Sequence, residues 1–183
     1  MAEKLGLNIS STDKLQRMAN MTRFNNEIHL HSESVAEHSF FVAVYALMIC
    51  DELKISRKTT NVIVKRALVH DISEIEISDI PHNVKLMIDG LNDACNKYEE
   101  DFIKENFERV HKDIEALEED QRELCENVVK LEDILSVIQY SRLEVDMGNK
   151  RFGPILDDAI QRYVETARKL GDENSKLVAG FAK

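Results

Sequence analysis

The stretch LVHDISEIEISDIP, residues 68–81, places a histidine and an aspartate directly after an apolar run. His70 and Asp71 follow ALV at positions 67–69, and further acidic side chains come before Pro81. Helical spacing predicts that this run is buried, yet a buried charge without a partner costs several kcal/mol. The two ionisable residues therefore need a partner, and the rest of the chain indicates what it is.

Apolar residues recur at spacings of three and four on both sides of this stretch, which indicates helices throughout. The 183 residues include only two prolines and six glycines, so few positions break a helix. We predict a loop over residues 23–34. A first, short helix is predicted from about residues 11–13 and carries Leu15, Met18 and Met21. Helices are then predicted over residues 35–53, 59–72 and 119–146, and a last one from Gly153 and Pro154 to near Gly171. Between the second and third of these ranges we predict a short acidic segment closed by Pro81 and a long acidic helix with Leu91, Cys95, Tyr98 and Phe102. The predicted fold class is all-α, with a single domain over residues 1–183.

The helix over residues 35–53 has two distinctive patterns. It begins with SVAE, a capping box in which Ser34 and Glu37 satisfy each other's backbone groups. Apolar side chains then cover nearly its whole circumference, which is typical of a central buried helix. These side chains are Phe40, Phe41, Val42, Val44, Tyr45, Leu47, Met48 and Ile49. The last helix is predicted to bury Ile155, Ala159, Tyr163, Val164 and Ala167.

The composition excludes several classes of function. Lys and Arg number 24 against 34 Asp and Glu, and the net charge of -10 repels a nucleic-acid polymer. The three cysteines are far apart and form no CxxC pair, which argues against a disulfide framework or a zinc ribbon. The N-terminus has no signal pattern, and the longest apolar run, residues 40–50, is too short to cross a bilayer. We predict a cytoplasmic protein without membrane contact.

Two further ionisable residues lie on stripes that are predicted to be buried. His38 has apolar neighbours one turn away on the helix over residues 35–53, and Asp133 has a valine four positions away on either side. One divalent cation shared by His38, His70, Asp71 and Asp133 satisfies all four groups. Two imidazoles and two carboxylates form a mixed nitrogen and oxygen site that favours a transition metal such as Mn, Fe, Co or Zn.

The same residues resemble the signature of the HD-domain metal-dependent phosphohydrolases, which consists of a histidine, a later His-Asp pair and a distant aspartate. Longer segments resemble the YfbR-type 5'-deoxynucleotidase branch of that superfamily: VAEHS at 35–39, HDISE at 70–74, DIP at 79–81, VK at 84–85 and KLED at 130–133. The resemblance covers about residues 15–152. It implies a helical HD domain whose metal ligands are the four residues named above.

The resemblance also implies roles for residues around the metal. Arg23 would contact the substrate phosphate, Glu74 would be catalytic, and Asp79 would contact the sugar. Phe24 occupies a place where the branch has a tryptophan that shapes the sugar pocket, so this chain departs from the pattern while keeping an aromatic residue. Lys85 is a further candidate for phosphate contact near the mouth of the cleft.

Other polar residues have simpler explanations. The capping box accounts for Glu37, and Glu76 is predicted to face solvent. The HLH sequence at 29–31 resembles a metal-binding pair but lies in a polar loop, where exposure is expected. His82 is more consistent with a surface position than with a phosphate contact.

Three functions remain open from the sequence. The first is hydrolysis of a deoxynucleoside monophosphate to deoxynucleoside and phosphate, with a small deoxynucleotide as the partner molecule. The second is a triphosphohydrolase like the phage-type dATP enzymes of the superfamily, which release tripolyphosphate. The loop from Arg23 to His31 offers no further Arg or Lys for extra phosphates, which favours the monophosphate. The third is a non-catalytic nucleotide-binding protein. We also predict a homo-oligomer, a dimer or larger.

Overall fold

The computed structural model describes residues 15–182, and every named element in this range is helical. A 3-10 helix, Gln16–Ala19, precedes the bundle, and a second, Lys150–Phe152, joins its last two long helices. The α-helices are α1 Val35–Glu52, α2 Arg57–Val69, α3 Glu74–Ile77, α4 His82–Met87, α5 Leu91–Asn106, α6 Glu108–Glu115, α7 Glu119–Asp146, α8 Gly153–Arg168 and α9 Asp172–Val178. The all-α prediction is confirmed.

Local signals in the sequence explain where the main helices begin. Ser34 and Glu37 form the capping box that starts α1, with the Ser34 hydroxyl accepting from the Glu37 amide at 3.2 Å and the Glu37 carboxylate accepting from the Ser34 amide at 2.8 Å. Pro154 stands in the first turn of α8, where its missing N–H costs nothing. Residues 23–34 form the predicted loop, which an antiparallel bridge between Thr22 and Ser34 closes.

Two apolar clusters form the core, and they meet along α1 and α2. The larger cluster joins α1, α2, α7 and α8, and Val42, Ala67 and Leu135 lie within it. The smaller cluster contains Val35 and Val69 and packs beneath α5 and the N-terminal 3-10 helix. His38 lies between the two sets along α1, and His70 directly follows Val69 at the end of α2 and contacts His38, so both sit where the clusters meet.

The prediction of a fully buried central helix is wrong for α1. Its buried face contacts α2 and α7, but Phe40, Phe41, Leu47 and Met48 on the opposite face are exposed. An apolar circumference predicts burial on every side, whereas the neighbours of α1 among residues 15–182 leave these four side chains uncovered. Val164 of α8 is likewise exposed, while Ala159, Tyr163 and Ala167 of the same predicted stripe are buried.

Several helix boundaries also differ from the predictions. Helix α2 ends at Val69, with His70 as its C-cap, so residues 70–73 form turns that separate the His-Asp pair from the helix body. Three short helices, α4, α6 and α9, were not predicted, because none of them carries an apolar stripe long enough to show a period. The predicted start of the first helix near residues 11–13 lies outside the described residues.

Within residues 15–182, no helix is both long enough and apolar enough to span a bilayer.

Candidate metal centre and active site

Four ionisable side chains from α1, α7 and the turn after α2 converge at the junction of the two clusters. His38 Nε2 lies 3.2 Å from His70 Nε2, 3.3 Å from Asp71 Oδ2 and 3.4 Å from Asp133 Oδ1. His70 Nε2 is also 3.1 Å from Asp71 Oδ2. The ligand atoms of His38, His70 and Asp71 all lie within 4.8 Å of one another, with Asp133 directly beside them. The structure thus brings together all four predicted metal ligands.

The chemistry of this cluster fits a bound cation. His70 Nδ1 is 2.7 Å from the carbonyl oxygen of Ala67, which fixes the proton on Nδ1 and leaves the Nε2 lone pair facing the cluster. Burial alone would lower the pKa of His70, but the charges of Asp71 and Asp133 raise it above its ordinary value. A positive charge is therefore favoured at the point where the four side chains meet.

Both carboxylates of the cluster are held in the ionised form. Burial would raise the pKa of Asp71, but His70 and His38 hold it well below its ordinary value. The pKa of Asp133 is likewise well below its ordinary value, because Lys130 and His38 outweigh its burial. Lys130 Nζ donates to Asp133 Oδ2 at 2.7 Å, so Oδ1 is the oxygen that faces His38. Ionised oxygens that face two imidazoles are suitable ligands for a divalent ion.

Arg23 lies at the edge of this cluster. Its Nη1 donates to Glu33 Oε2 at 3.3 Å and contacts His38 Nδ1, and its Nη2 is 4.0 Å from Asp133 Oδ1. Burial would lower the pKa of Arg23, but Asp133, Asp71 and the other nearby carboxylates raise it. The guanidinium is thus a fixed cation at the edge of the four-residue cluster, and it lines the cleft.

Phe24 forms part of an aromatic wall next to Arg23. Its ring stacks on Tyr140 with centroids 4.9 Å apart and planes at 5°, and it meets Phe152 edge-on at 5.4 Å. The backbone of Phe24 has a φ of +53°, a left-handed conformation that is rare for a bulky residue and recurs at functional sites. The packing of the ring against α7 compensates for this strained turn.

The 23–33 loop is anchored to the C-terminal end of α7 by Glu144. This fully buried carboxylate accepts from the amides of Leu30 and His31 at 2.9 and 2.6 Å, and from Asn149 Nδ2 at 2.6 Å. Asn149 Nδ2 also donates to the Ile28 carbonyl at 2.9 Å. Burial would raise the pKa of Glu144, but these hydrogen bonds lower it, so the carboxylate is ionised. The anchor fixes the loop that carries Arg23 and Phe24.

Glu74 begins α3 and faces the cleft. Its side chain is 7% exposed, and Oε2 is a buried oxygen that has no hydrogen-bond partner within the described chain. Burial and the charges of Asp71 and Asp79 raise the pKa of Glu74 well above its ordinary value. A carboxyl group that no protein donor or acceptor occupies is available to exchange a proton with a molecule in the cleft.

Asp79 follows a second strained residue. Ser78 has φ +63° and ψ 166°, a region that glycine adopts more readily than serine, and this turn directs the chain back along the cleft. Asn25 Nδ2 donates to the Asp79 carbonyl at 2.9 Å, which links the 23–33 loop to this turn. Burial raises the pKa of Asp79, with Arg23 acting in the opposite direction. Asp79 thus lines the cleft, and its turn is linked to the loop that carries Phe24.

The cleft itself has a volume of about 730 Å³, which is within the range of small-molecule sites. Arg23, Phe24, Glu74, Asp79 and Lys85 all line it, together with three of the four cluster residues, His70, Asp71 and Asp133. Three further cations line it, Arg66 of α2, Lys130 of α7 and Arg162 of α8.

Several polar residues outside this set behave as the sequence predicts. Glu37 belongs to the capping box, and Glu76 and His31 are exposed. His82 is exposed overall, but its ring also lines the cleft. Partial desolvation there lowers its pKa, and the charges of Arg162 and Lys130 lower it further.

Three residues of α7 support the site although the sequence did not predict a role for them. Ser136, Tyr140 and Glu144 lie three, seven and eleven positions after Asp133, so they share its face of the helix. Ser136 Oγ is 3.0 Å from His38 Nδ1, and the Tyr140 hydroxyl donates to the His31 carbonyl. Polar residues repeating on the face of a predicted ligand were a signal that could have revealed them.

The sequence and the fold both have relatives among known proteins. A family model described as 5'-deoxynucleotidase YfbR-like matches residues 12–176. The structure of the HD phosphohydrolase DatZ of cyanophage S-2L, bound to dA and one catalytic Zn²⁺ ion, is 15% identical, with a TM-score of 0.73 and 93% of each chain covered. A protein from Pyrococcus horikoshii OT3 is 23% identical, with a TM-score of 0.68 and coverage of 94% of this chain and 99% of that chain.

A third solved structure, an HD-domain phosphohydrolase from Listeria innocua, is 22% identical, with a TM-score of 0.66 and coverage of 93% of this chain and 89% of that chain. No curated protein matches the sequence significantly. At these identities the three structures establish a shared fold.

Proposed function

The chain belongs to the YfbR-like 5'-deoxynucleotidase family, and on this basis we propose that it hydrolyses deoxynucleoside 5'-monophosphates to deoxynucleoside and phosphate. Membership of this family makes the chain a hydrolase that acts on phosphoric ester bonds. The observation that carries the substrate proposal is the position of Arg23, a half-buried cation that lies 4.0 Å from Asp133 and beside an aromatic wall. A phosphate between Arg23 and the four-residue cluster would leave the attached sugar close to Phe24.

The metal in this proposal is a divalent transition ion, with Mn, Fe, Co and Zn as candidates. His38, His70, Asp71 and Asp133 would hold it, and the donor set of two imidazoles and two carboxylates is consistent with any of the four. The catalytic Zn²⁺ of the DatZ structure supports a metal site of this kind. When bound, such an ion supplies Lewis-acid polarisation of a phosphoryl oxygen.

The residues of the chain then have separate tasks. Arg23 binds the phosphate through its planar guanidinium and offsets the negative charge that develops on the phosphoryl oxygens. A water molecule attacks phosphorus, and the bond from phosphorus to the 5' oxygen breaks. Glu74 transfers a proton, from the attacking water or to the leaving 5' oxygen, so that the products are an alcohol and phosphate. Asp79 and Phe24 orient the sugar.

One observation favours a second candidate, a deoxynucleoside triphosphate substrate. The cleft has room beyond a monophosphate, and Lys85, Lys130 and Arg162 line it from three different helices. Lys130 is paired with Asp133 and Arg162 lies 3.6 Å from Asp158, so both cations already have partners. We retain the monophosphate as the principal substrate because Arg23 contacts His38, lies 4.0 Å from Asp133 and stands beside the aromatic wall of Phe24.

Product analysis separates the two substrates. After removal of bound metal with a chelator and addition of Mn²⁺ or Co²⁺, the protein is incubated with matched dNMP, NMP and dNTP panels, and ³¹P NMR identifies phosphate or tripolyphosphate. We expect phosphate from dNMP. Tripolyphosphate from dNTP without turnover of dNMP would replace the proposal with the second candidate, and loss of that activity in Arg162→Gln would assign the extra phosphates to the α8 wall. Metal-loaded protein that turns over neither class would indicate a binding protein.

A further inference from the structure

Two asparagine side chains meet at the wall of the cleft. Asn26 belongs to the 23–33 loop and Asn83 to α4, and both are exposed residues that line the cleft. Asn26 Nδ2 donates to Asn83 Oδ1 at 3.5 Å, which is longer than the roughly 2.9 Å of an ordinary N–H···O bond. Among residues 15–182, Asn26 Oδ1 and Asn83 Nδ2 make no hydrogen bond of their own. The pair therefore presents a free acceptor and a free donor to a molecule in the cleft.

The turn that carries Asn26 is held in place by the protein itself. The Glu27 amide donates to the Phe24 carbonyl at 2.9 Å, which closes the turn around Asn26. The neighbouring side chain, Asn25 Nδ2, donates to the Asp79 carbonyl at 2.9 Å and ties this turn to the segment that leads into α4. The two asparagines are thus placed side by side by backbone contacts before any ligand is present.

Two segments of the chain line the cleft with residues in a matching order. These residues are Arg23, Phe24 and Asn26 in the loop, and Glu74, Asp79 and Asn83 in the segment after α2. In the proposed function the first residue of each series acts at the phosphate, and the second orients the sugar. A nucleotide continues from its sugar to its base. The third residue of each series is therefore the next one along the direction in which the base extends.

The chemistry of the asparagine pair fits a nucleobase better than a further phosphate. An asparagine amide is uncharged and places one donor and one acceptor side by side. The hydrogen-bonding edge of a base likewise presents donors and acceptors next to each other, and asparagine binds such an edge through two bonds. A phosphate group would instead require a cation with several donors, such as an arginine.

We propose that Asn26 and Asn83 bind the edge of the nucleobase and so determine which bases the enzyme accepts. This inference rests on the proposed function, because it takes the phosphate and sugar positions from it. Either amide can turn its oxygen or its nitrogen towards the ligand, so the wild-type pair accepts bases with an amino group and bases with an oxo group. A carboxylate in place of either amide accepts hydrogen bonds but does not donate them.

Matched nucleotides test this contact. The bases of dAMP and dIMP differ in an amino or an oxo group at the same ring position, and so do those of dCMP and dUMP. We expect the ratio of kcat/KM for the amino compound over the oxo compound to rise about 10-fold in Asn26→Asp and in Asn83→Asp. A carboxylate keeps its bond to an amino group but leaves an oxo group without a donor, and one lost hydrogen bond has about this effect.

Asn96→Asp is the matched control. Asn96 also lines the cleft, but it lies on α5, one turn before Glu99, which pairs with Arg66 of α2. The variant introduces the same negative charge into the same cleft without altering the segments that carry Phe24 and Asp79. Its effect on the phosphate is common to all four nucleotides, so the amino-to-oxo ratio should remain that of wild type. Circular dichroism checks that each variant is folded.

The outcomes separate this inference from the proposed function. If wild type hydrolyses the nucleotides and both ratios stay unchanged in Asn26→Asp and Asn83→Asp, the base contact is wrong and the hydrolase proposal stands. An equal loss for all four nucleotides would make the pair a link between the loop and α4, which also overturns the inference. If wild type hydrolyses none of them, the proposed function fails. Equilibrium dialysis of the same four nucleotides then tests the base contact alone, with unchanged ratios of Kd refuting it.

Discussion

Replacing Glu144 with glutamine removes the charge that holds the 23–33 loop against α7 while preserving the shape of the side chain. The carboxylate accepts from three donors, the amides of Leu30 and His31 and the side chain of Asn149. A glutamine keeps one acceptor oxygen but turns an NH₂ group towards donors that then have no acceptor. The change therefore acts on the loop that carries Arg23 and leaves the four-residue metal cluster intact.

The size of the effect follows from the hydrogen bonds that are lost. Bonds to a charged group contribute about 1.5–3 kcal/mol each, so losing one or two weakens the anchor by about 3 kcal/mol. This corresponds to roughly 100-fold in the equilibrium between an anchored and a released loop. We expect kcat/KM to fall by up to that factor, chiefly through KM, because the phosphate contact of Arg23 is then formed only in the anchored fraction.

The measurement compares kcat/KM, bound metal and limited proteolysis of the 23–33 loop in wild type, Glu144→Gln and Tyr140→Phe. The Tyr140 variant is a graded control, since it loses one hydroxyl bond to His31 but keeps the ring on which Phe24 stacks. It should lose only about 1 kcal/mol of anchoring. Unchanged kcat/KM and unchanged cleavage of the loop in Glu144→Gln would refute the reasoning.

The ionisation of Glu144 also predicts how the anchoring of the 23–33 loop changes with pH. Hydrogen bonds from Asn149 and the two amides hold the pKa of Glu144 below its ordinary value despite burial. Because the pKa of Glu144 is lower in the folded than in the unfolded chain, its stabilisation of the loop is fully present above the ordinary glutamate pKa of about 4.3. This stabilisation is lost as the pH falls through the pKa of the folded state. Wild type and Glu144→Gln should thus differ in loop proteolysis at neutral pH and converge under acidic conditions.

Four further predictions concern the site and the fold. Asp133→Ala should abolish hydrolysis and lower metal content measured by mass spectrometry, and retention of both would exclude Asp133 as a ligand. Glu74→Gln should keep the metal but slow kcat on the order of 100-fold or more, whereas a near-normal rate would leave it with a structural role only. The ratio of kcat/KM for dNMP over NMP should rise in Phe24→Trp and fall in Phe24→Ala, and a flat ratio would remove Phe24 from the sugar pocket. Ser34→Ala should lower the free energy of unfolding by about 1 kcal/mol in urea titration, with an unchanged m-value, because α1 loses its cap.

The long helices could be predicted because each combines a periodic stripe with a recognisable end. Helix α7 begins and ends at the predicted residues 119 and 146, and α1 begins at its capping box. The exposure of Phe40 and Met48 could not be predicted, since an apolar residue in a sequence carries no information on which neighbour covers it. The short helices escaped detection because about two turns are too few to show a period.

Some residues of the site could likewise be predicted from the sequence, and others could not. His38, His70, Asp71 and Asp133 were identified because an ionisable group on an apolar stripe conflicts with its surroundings, and the structure brings them together. Glu144 was missed although it is fully buried, because two of its donors are backbone amides more than a hundred positions away, and backbone donors leave no mark on a sequence. Its place on the same helical face as Asp133 was the signal that the sequence did offer.

Helix α7 carries both Asp133 of the four-residue cluster and Glu144, which anchors the loop. The number of residues between these two positions therefore determines whether both side chains reach the site. Asp133 and Glu144 are eleven residues apart, which is close to three whole turns, so both point to the same side at a separation of about 16 Å. Inserting one residue between them would shift Glu144 by only about 1.5 Å along the helix but would swing it by about 100° around it. Related chains that keep this chemistry are therefore expected to gain or lose residues in loops or at the ends of the fold, while the spacing within this segment of α7 stays fixed.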